Sequence, residues 1–167
     1  MNAANPRRFP KVAIALLIAA FAVPGSVGIA QETSEMEAVK AANQAFYSAI
    51  SGRDIAAMQK AWSADPDIQY IAPYRKGITV GWEAQKKGYE VTFPRRLPSF
   101  RVDMEQARFK INGTVAWVSG MEHAQLENKE GKIVHATNLV TNIFQKEAGG
   151  WRMVYHHASV IPSGAEP

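Results

Sequence analysis

Four β-rich runs follow one another closely in the second half of the chain: Phe100 to Ile111, Val115 to Leu126, Ile133 to Gln145 and Trp151 to Ile161. Between them lie Asn112-Gly113, Glu127 to Gly131 and Ala148-Gly149-Gly150. Segments rich in Gly and Asn between apolar runs make tight reversals, so the spacing predicts hairpins and an antiparallel meander of long strands. Such a sheet needs a cover for its apolar face, and the preceding segment supplies one. Ser34-Glu35-Met36-Glu37 has the form of a capping box, and apolar residues recur at Val39, Ala42, Ala45, Phe46, Ala49 and Ile50, the period of a helix with one buried face. Ser51 to Asp54 breaks this helix, and Ile55, Ala56, Met58, Ala61 and Trp62 predict a shorter second one. Asp67 to Ile71 and Ile78 to Val80 read as short strands, and Gly81 to about Val91 as a third helix stopped near Pro94. The fold class is therefore α+β, with about three N-terminal helices packed on a curved antiparallel sheet. Long strands bending around short helices leave a concave pocket.

The N-terminus has a different character. Arg7, Arg8 and Lys11 precede an apolar run of twelve residues, Val12 to Val23, and a small-residue stretch ends at Ala30. This is the layout of a secretory signal peptide over residues 1–30, with cleavage after Ala30 and Gln31 as the new N-terminus. A bilayer-spanning helix needs ~20 apolar residues, so the run is too short to remain as a membrane anchor. No Cys follows it for lipid attachment. The expectation is an exported protein, periplasmic or secreted, whose single domain occupies residues 31–167.

Removing the leader takes Arg7, Arg8 and Lys11 and no acidic residue, so the formal net charge falls from +4 to +1. The remaining basic pairs, Arg75-Lys76, Lys86-Lys87 and Arg95-Arg96, are separated. Nucleic-acid binding would want a continuous basic stripe, so no nucleic-acid partner is expected. The chain has no Cys, which removes disulfides and thiolate chemistry and leaves stability to a packed core.

Several local motifs resemble the nuclear transport factor 2-like superfamily, in particular its SnoaL-like branch and the association (hub) domain of calcium/calmodulin-dependent protein kinase. The most specific segments are Thr141-Asn142-Ile143-Phe144 and Gly150-Trp151-Arg152-Met153-Val154-Tyr155-His156-His157-Ala158-Ser159. Phe46-Tyr47, Gly52-Arg53-Asp54, Gly81-Trp82-Glu83-Ala84 and Ala116-Trp117-Val118 add to it. The resemblance spans roughly Glu35 to Gly164 and implies a cone-shaped fold enclosing a pocket. It does not by itself imply an activity, because this scaffold serves isomerases, cyclases, dehydratases, transport factors and oligomerisation modules. Matching to the hub domain's arginine-lined pocket puts Glu122, Asn142 and Ala158 at pocket-facing positions. All three lack positive charge, which points to a neutral or weakly basic ligand.

Alternate residues of a strand face opposite sides. This parity places Glu122, Asn138, Asn142 and His156 on the concave face among Val118, Val134 and Val140. Together with Tyr47 and Tyr70 these polar residues are the expected ligand-binding set, since polar groups in an apolar pocket need partners. An isomerase or cyclase would need a proton-moving group and an oxyanion donor. Glu122 and His156 are the candidate catalytic residues, with Tyr47 or Tyr70 as donor.

The opposite parity carries Trp117, Met121, His123, Leu139, Ile143, Trp151, Met153 and Tyr155, an unusually apolar surface. The resemblance implies association through this sheet. Trp117, Met121, Trp151, Tyr155 and His157 are accordingly the expected homodimer interface. His123 and His135 could sit opposite each other across a hairpin, but two imidazoles without a carboxylate do not make a zinc site, and no metal or cofactor is expected. Three functions stay open: an exported domain binding a small, largely apolar molecule, a cofactor-independent isomerase, cyclase or hydrolase, or a non-catalytic oligomeric interaction module.

Overall fold

The computed structural model describes residues 25–73, 76–128 and 130–161, with side chains from Gln31 onward. Residues 1–24, the greater part of the expected signal peptide, and the tail from 162 lie outside these residues, while the expected cleavage point between Ala30 and Gln31 falls within the first helix. In chain order the elements are α1 (Gly25–Gly52), α2 (Ile55–Ala61), β1 (Gln69–Ile71), β2 (Thr79–Val80), α3 (Trp82–Thr92), β3 (Arg101–Asn112), β4 (Val115–Glu127), β5 (Ile133–Glu147) and β6 (Gly150–Val160). A short 3-10 turn, Phe93–Arg95, follows α3. Among the described residues no helix is long and apolar enough to cross a membrane.

Helix α1 buries the face carrying Val39, Asn43, Phe46, Tyr47 and Ile50, the i, i+4, i+7 and i+8 stripe that the periodicity predicts. Its start differs from expectation. The helix is already formed at Gly25, so Ser34 to Glu37 lies inside it and caps nothing. Glu35 instead holds the Lys146 ammonium at 2.7 Å and accepts from Trp151 Nε1 at 3.0 Å, tying α1 to β5 and β6. At the other end, Ser51 Oγ donates to the Val102 carbonyl and accepts from the Val102 amide, pinning α1 to β3. Helix α2 is capped by Asp54, whose side chain accepts from the Ala57 amide at 2.9 Å.

The strands form one six-stranded sheet in the order β2-β1-β6-β5-β4-β3. The long meander is antiparallel, while β1 runs parallel to β6, so the sheet is mixed. Helices cover one face, and the sheet stays open at its edges. Two bulges bend it. In β3, Gln106 and Ala107 together oppose Gly120, with Gln106 at φ 51°. In β6, Val154 is skipped between the pairs Ile143–Tyr155 and Phe144–Met153.

The second bulge corrects the assignment of faces. A β-bulge inserts one residue and reverses the alternation beyond it. Tyr155, His157 and Ser159 keep the outer face, but Trp151 and Met153 turn inward. Trp151 is 4 % exposed and Met153 fully buried. Trp151 therefore belongs to the core beneath α1 and is removed from the expected interface. The β4–β5 register also corrects a pairing: His123 faces Thr137, and His135 faces Gln125.

Candidate functional site

The concave face begins with pairs of residues directly opposite each other on β4 and β5: Glu122 with Asn138, and Ala124 with Ala136. The two alanines are too short to reach the helix layer, and a cavity of about 230 Å³ opens above them. Ile50 of α1 and Val102 of β3 wall it on one side. Gln85, Tyr89 and Phe93, from α3 and the turn after it, close it from above. Tyr70, Pro73 and Thr79 of the β1–β2 hairpin form the far wall, and Arg96 lies with Phe100 at one end, its guanidinium 4.8 Å from the ring centroid. The lining is largely apolar and aromatic with a few polar groups, the composition of small-molecule sites.

All six expected ligand-binding residues come together, in two layers. Tyr70, Glu122 and Asn138 line the cavity. Tyr47, Asn142 and His156 lie directly behind, each almost completely buried. Asn138 Nδ2 donates to Glu122 Oε1 at 3.2 Å. Behind them, Asn142 Nδ2 donates to Asn43 Oδ1 at 2.8 Å and more weakly to the Tyr47 hydroxyl at 3.4 Å. His156 Nδ1 sits 2.7 Å from Asn142 Oδ1. Because Asn142 spends its amide hydrogens on Asn43 and Tyr47, its oxygen is the acceptor, so Nδ1 carries the imidazole proton. The His156 ring stacks on Tyr70 with centroids 5.1 Å apart and planes at 21°, which links the buried layer to the cavity wall.

Burial sets the charge states. It pushes the Glu122 carboxyl up to about 7 from an ordinary 4.5, and nearby Asp103 pushes it the same way. Hydrogen bonds from Asn138 and Tyr47 pull it partly back. Burial likewise drives His156 from 6.5 down to about 3, with His157 adding repulsion. Glu122 Oε2 and His156 Nε2 are 4.0 Å apart, yet the imidazole is neutral, so the contact is not an ion pair. Burial raises the Tyr47 phenol, with the Glu122 charge acting in the same direction. The site is a carboxyl poised near neutrality, backed by a neutral hydrogen-bonded chain running from Tyr47 through Asn142 to His156.

Three participants escape a reading by strand parity alone: Gln85, Tyr89 and Asn43. Their signal was a polar residue inside an apolar helical stripe. Asn43 interrupts Val39-Phe46-Ile50, and Gln85 interrupts Trp82-Tyr89-Phe93. On the outer face Trp117 is 40 % and Leu139 56 % exposed, Met121 and Tyr155 are half-buried, and His157 is exposed. His123 Nδ1 lies 3.1 Å from Thr137 Oγ1 on the same face, away from the cavity.

Known proteins share this fold. The SnoaL-like domain profile matches residues 39–163. No curated protein sequence matches the chain significantly. Among solved structures, a nuclear transport factor 2-like protein with a cystatin-like fold from Novosphingobium aromaticivorans superposes with a TM-score of 0.74 at 13% identity, over 88% of this chain and 95% of that one. A proposed dehydratase of the nuclear transport factor 2-like family from Streptomyces avermitilis gives 0.71 at 20% identity, over 78% of this chain and 99% of that one. The calcium/calmodulin-dependent protein kinase II hub of S. rosetta gives 0.65 at 20% identity, over 75% and 95%. At these identities the structures speak for the fold, and the profile match over most of the chain speaks for the family. The chain belongs to the SnoaL-like domain family.

Proposed function

We propose that this is an exported SnoaL-like protein that takes up a small, uncharged, largely apolar molecule in the cavity above Ala124 and Ala136. The observation that carries the reading is the cavity itself: about 230 Å³ of space walled by aromatic and apolar side chains, with the Glu122–Asn138 pair as its polar fixture. Among the described lining residues the cations are limited to Arg96, at one end beside Phe100, which suits a neutral occupant. Native mass spectrometry of protein purified from its own host tests this, with Ala136→Leu as the blocked control. The expected result is a bound small molecule in the unsubstituted protein and none in the variant. Retention of the same molecule by Ala136→Leu would place the site elsewhere. N-terminal sequencing of the same sample tests export, with Gln31 expected as the first residue.

A second reading, cofactor-independent proton transfer by an isomerase, cyclase or hydrolase, is favoured by one specific observation. Glu122 stands on the cavity wall with its carboxyl at about 7, where one group can both give and take a proton at neutral pH. Tyr70, also on the cavity wall, would polarise the substrate. Glu122→Gln separates the two readings, because it keeps the shape and the hydrogen-bonding capacity and removes the titration. Loss of turnover with retained ligand supports an enzyme. For partners, the apolar outer face and the likeness to a kinase hub support a homodimer through the sheet, with an oligomeric interaction module as the non-catalytic extreme.

A further inference from the structure

Gln85 is 2 % exposed and forms part of the cavity wall. Neither its Oε1 nor its Nε2 has a hydrogen-bond partner among the described residues. Asn138, also 2 % exposed and also on the wall, spends its Nδ2 on Glu122, and its Oδ1 has no partner among the described residues. Leaving such atoms unpaired costs on the order of 1–3 kcal/mol each, and native proteins seldom tolerate it without a reason. The reason nearest at hand is the occupant of the cavity.

The geometry points to an occupant that carries a cis-amide edge, as in a lactam or cyclic imide, paired with the Gln85 side chain. A primary amide presents a donor and an acceptor side by side in one plane, and a cis-amide returns the complementary acceptor and donor, giving two antiparallel hydrogen bonds. Counting the unpaired atoms narrows the class further. Gln85 presents an unpaired acceptor, Oε1, beside an unpaired donor, Nε2; Asn138 adds an unpaired acceptor, Oδ1, and the Tyr89 hydroxyl on the same wall also lacks a partner among the described residues. A ketone, ester or carboxylate brings acceptors only, and would leave Gln85 Oε1 without a donor. A carboxylate would in addition meet the Glu122 carboxyl. The aromatic rings of Tyr70, Tyr89 and Phe93 suit a flat ring bearing that edge.

This inference rests on the cavity being the binding site, and the test separates the two. Three probes of nearly equal shape are titrated by isothermal calorimetry into the purified protein: 2-quinolinone, which has the edge, and N-methyl-2-quinolinone and coumarin, which lack the donor. The expected result is about tenfold tighter binding of 2-quinolinone, the value of one good hydrogen bond. That preference should fall below about twofold in Gln85→Met, which keeps the volume and drops the amide. Equal affinity for all three, or a preference that survives Gln85→Met, overturns the cis-amide assignment and leaves the cavity reading standing. Failure of all three to bind overturns both. The probe comparison on the unsubstituted protein decides the matter even where Gln85→Met does not fold.

Discussion

His156 Nδ1 donates to Asn142 Oδ1 across 2.7 Å of the most deeply buried polar ground in the protein. Asn142 is fully buried and faces His156 as its direct partner between β5 and β6. One amide thus satisfies an imidazole on the neighbouring strand and an asparagine on α1 at once. Replacing Asn142 by Leu keeps the bulk and strands both partners, the His156 N–H and Asn43 Oδ1. Each unpaired buried group costs about 1–3 kcal/mol, so Asn142→Leu should lose about 2–5 kcal/mol. Urea denaturation measures it, and a variant as stable as the parent would show that the chain through Asn142 contributes nothing.

The same cluster makes stability depend on pH in two opposed ways. Glu122 holds its proton in the folded protein up to about 7, whereas in the unfolded chain it releases it near 4.5. Between those values the folded state binds more protons, so this group's contribution falls as pH rises from 4.5 through 7. His156 behaves oppositely. It stays neutral down to about 3 while the unfolded imidazole protonates near 6.5, so its contribution is lost as pH drops from 6.5 through 3. From 4.5 to 6.5 the two slopes offset each other, and the unsubstituted protein should be nearly flat there. Glu122→Gln removes a contribution of about 3 kcal/mol across its window. The variant should gain stability steadily from pH 3 to 6.5 and then level off. Denaturation midpoints at several pH values decide, and parallel profiles for the two proteins would rule out a raised Glu122.

Gly120 tests the bulge of β3. A Cβ at this position would lie 2.8 Å from the Glu105 carbonyl oxygen and 3.3 Å from Ala107 Cα. Both are backbone, so the strand itself would have to shift. Gly120→Ala should cost about 1–3 kcal/mol. Gly88, in the middle of α3, has nothing within 4 Å of its would-be Cβ, so Gly88→Ala should gain up to about 1 kcal/mol from helix propensity. Opposite signs in thermal denaturation are the expected outcome, and a neutral Gly120→Ala would mean the bulge is soft.

These local features mark the boundary of what a single sequence reveals here. The helices and long strands were legible because their periods, 3.6 and 2, persist over many residues and are punctuated by Asn-Gly and Gly-Gly. The inward set Glu122, Asn138, Asn142 and His156 was legible because alternation groups these residues on one face and the family resemblance says which face is concave. Trp151 was not, because the skipped Val154 reverses the alternation and nothing in Arg152-Met153-Val154 announces a bulge. The layering of the site was hidden too. Whether Asn142 meets a ligand or Asn43 depends on where α1 lies across the sheet, a relationship between residues 99 positions apart.

The outer face carries the last prediction. Trp117 and Leu139, 40 % and 56 % exposed, stand on neighbouring strands, each four residues along its strand from the other's partner, Met121 and Ile143 respectively. With Trp151 withdrawn to the core, the apolar patch centres on these two side chains together with Met121, Ile143 and Tyr155. If a second copy covers it, a charge at its centre is desolvated without a partner, which costs several kcal/mol in an interface and almost nothing on a free surface. Leu139→Glu should therefore convert a dimer to a monomer without lowering the stability of the isolated fold, because Leu139 makes little contact within its own chain. Sedimentation velocity over a range of concentrations reads the outcome directly. A parent protein that sediments as a monomer throughout, or a Leu139→Glu variant that remains dimeric, would move the interface away from this face.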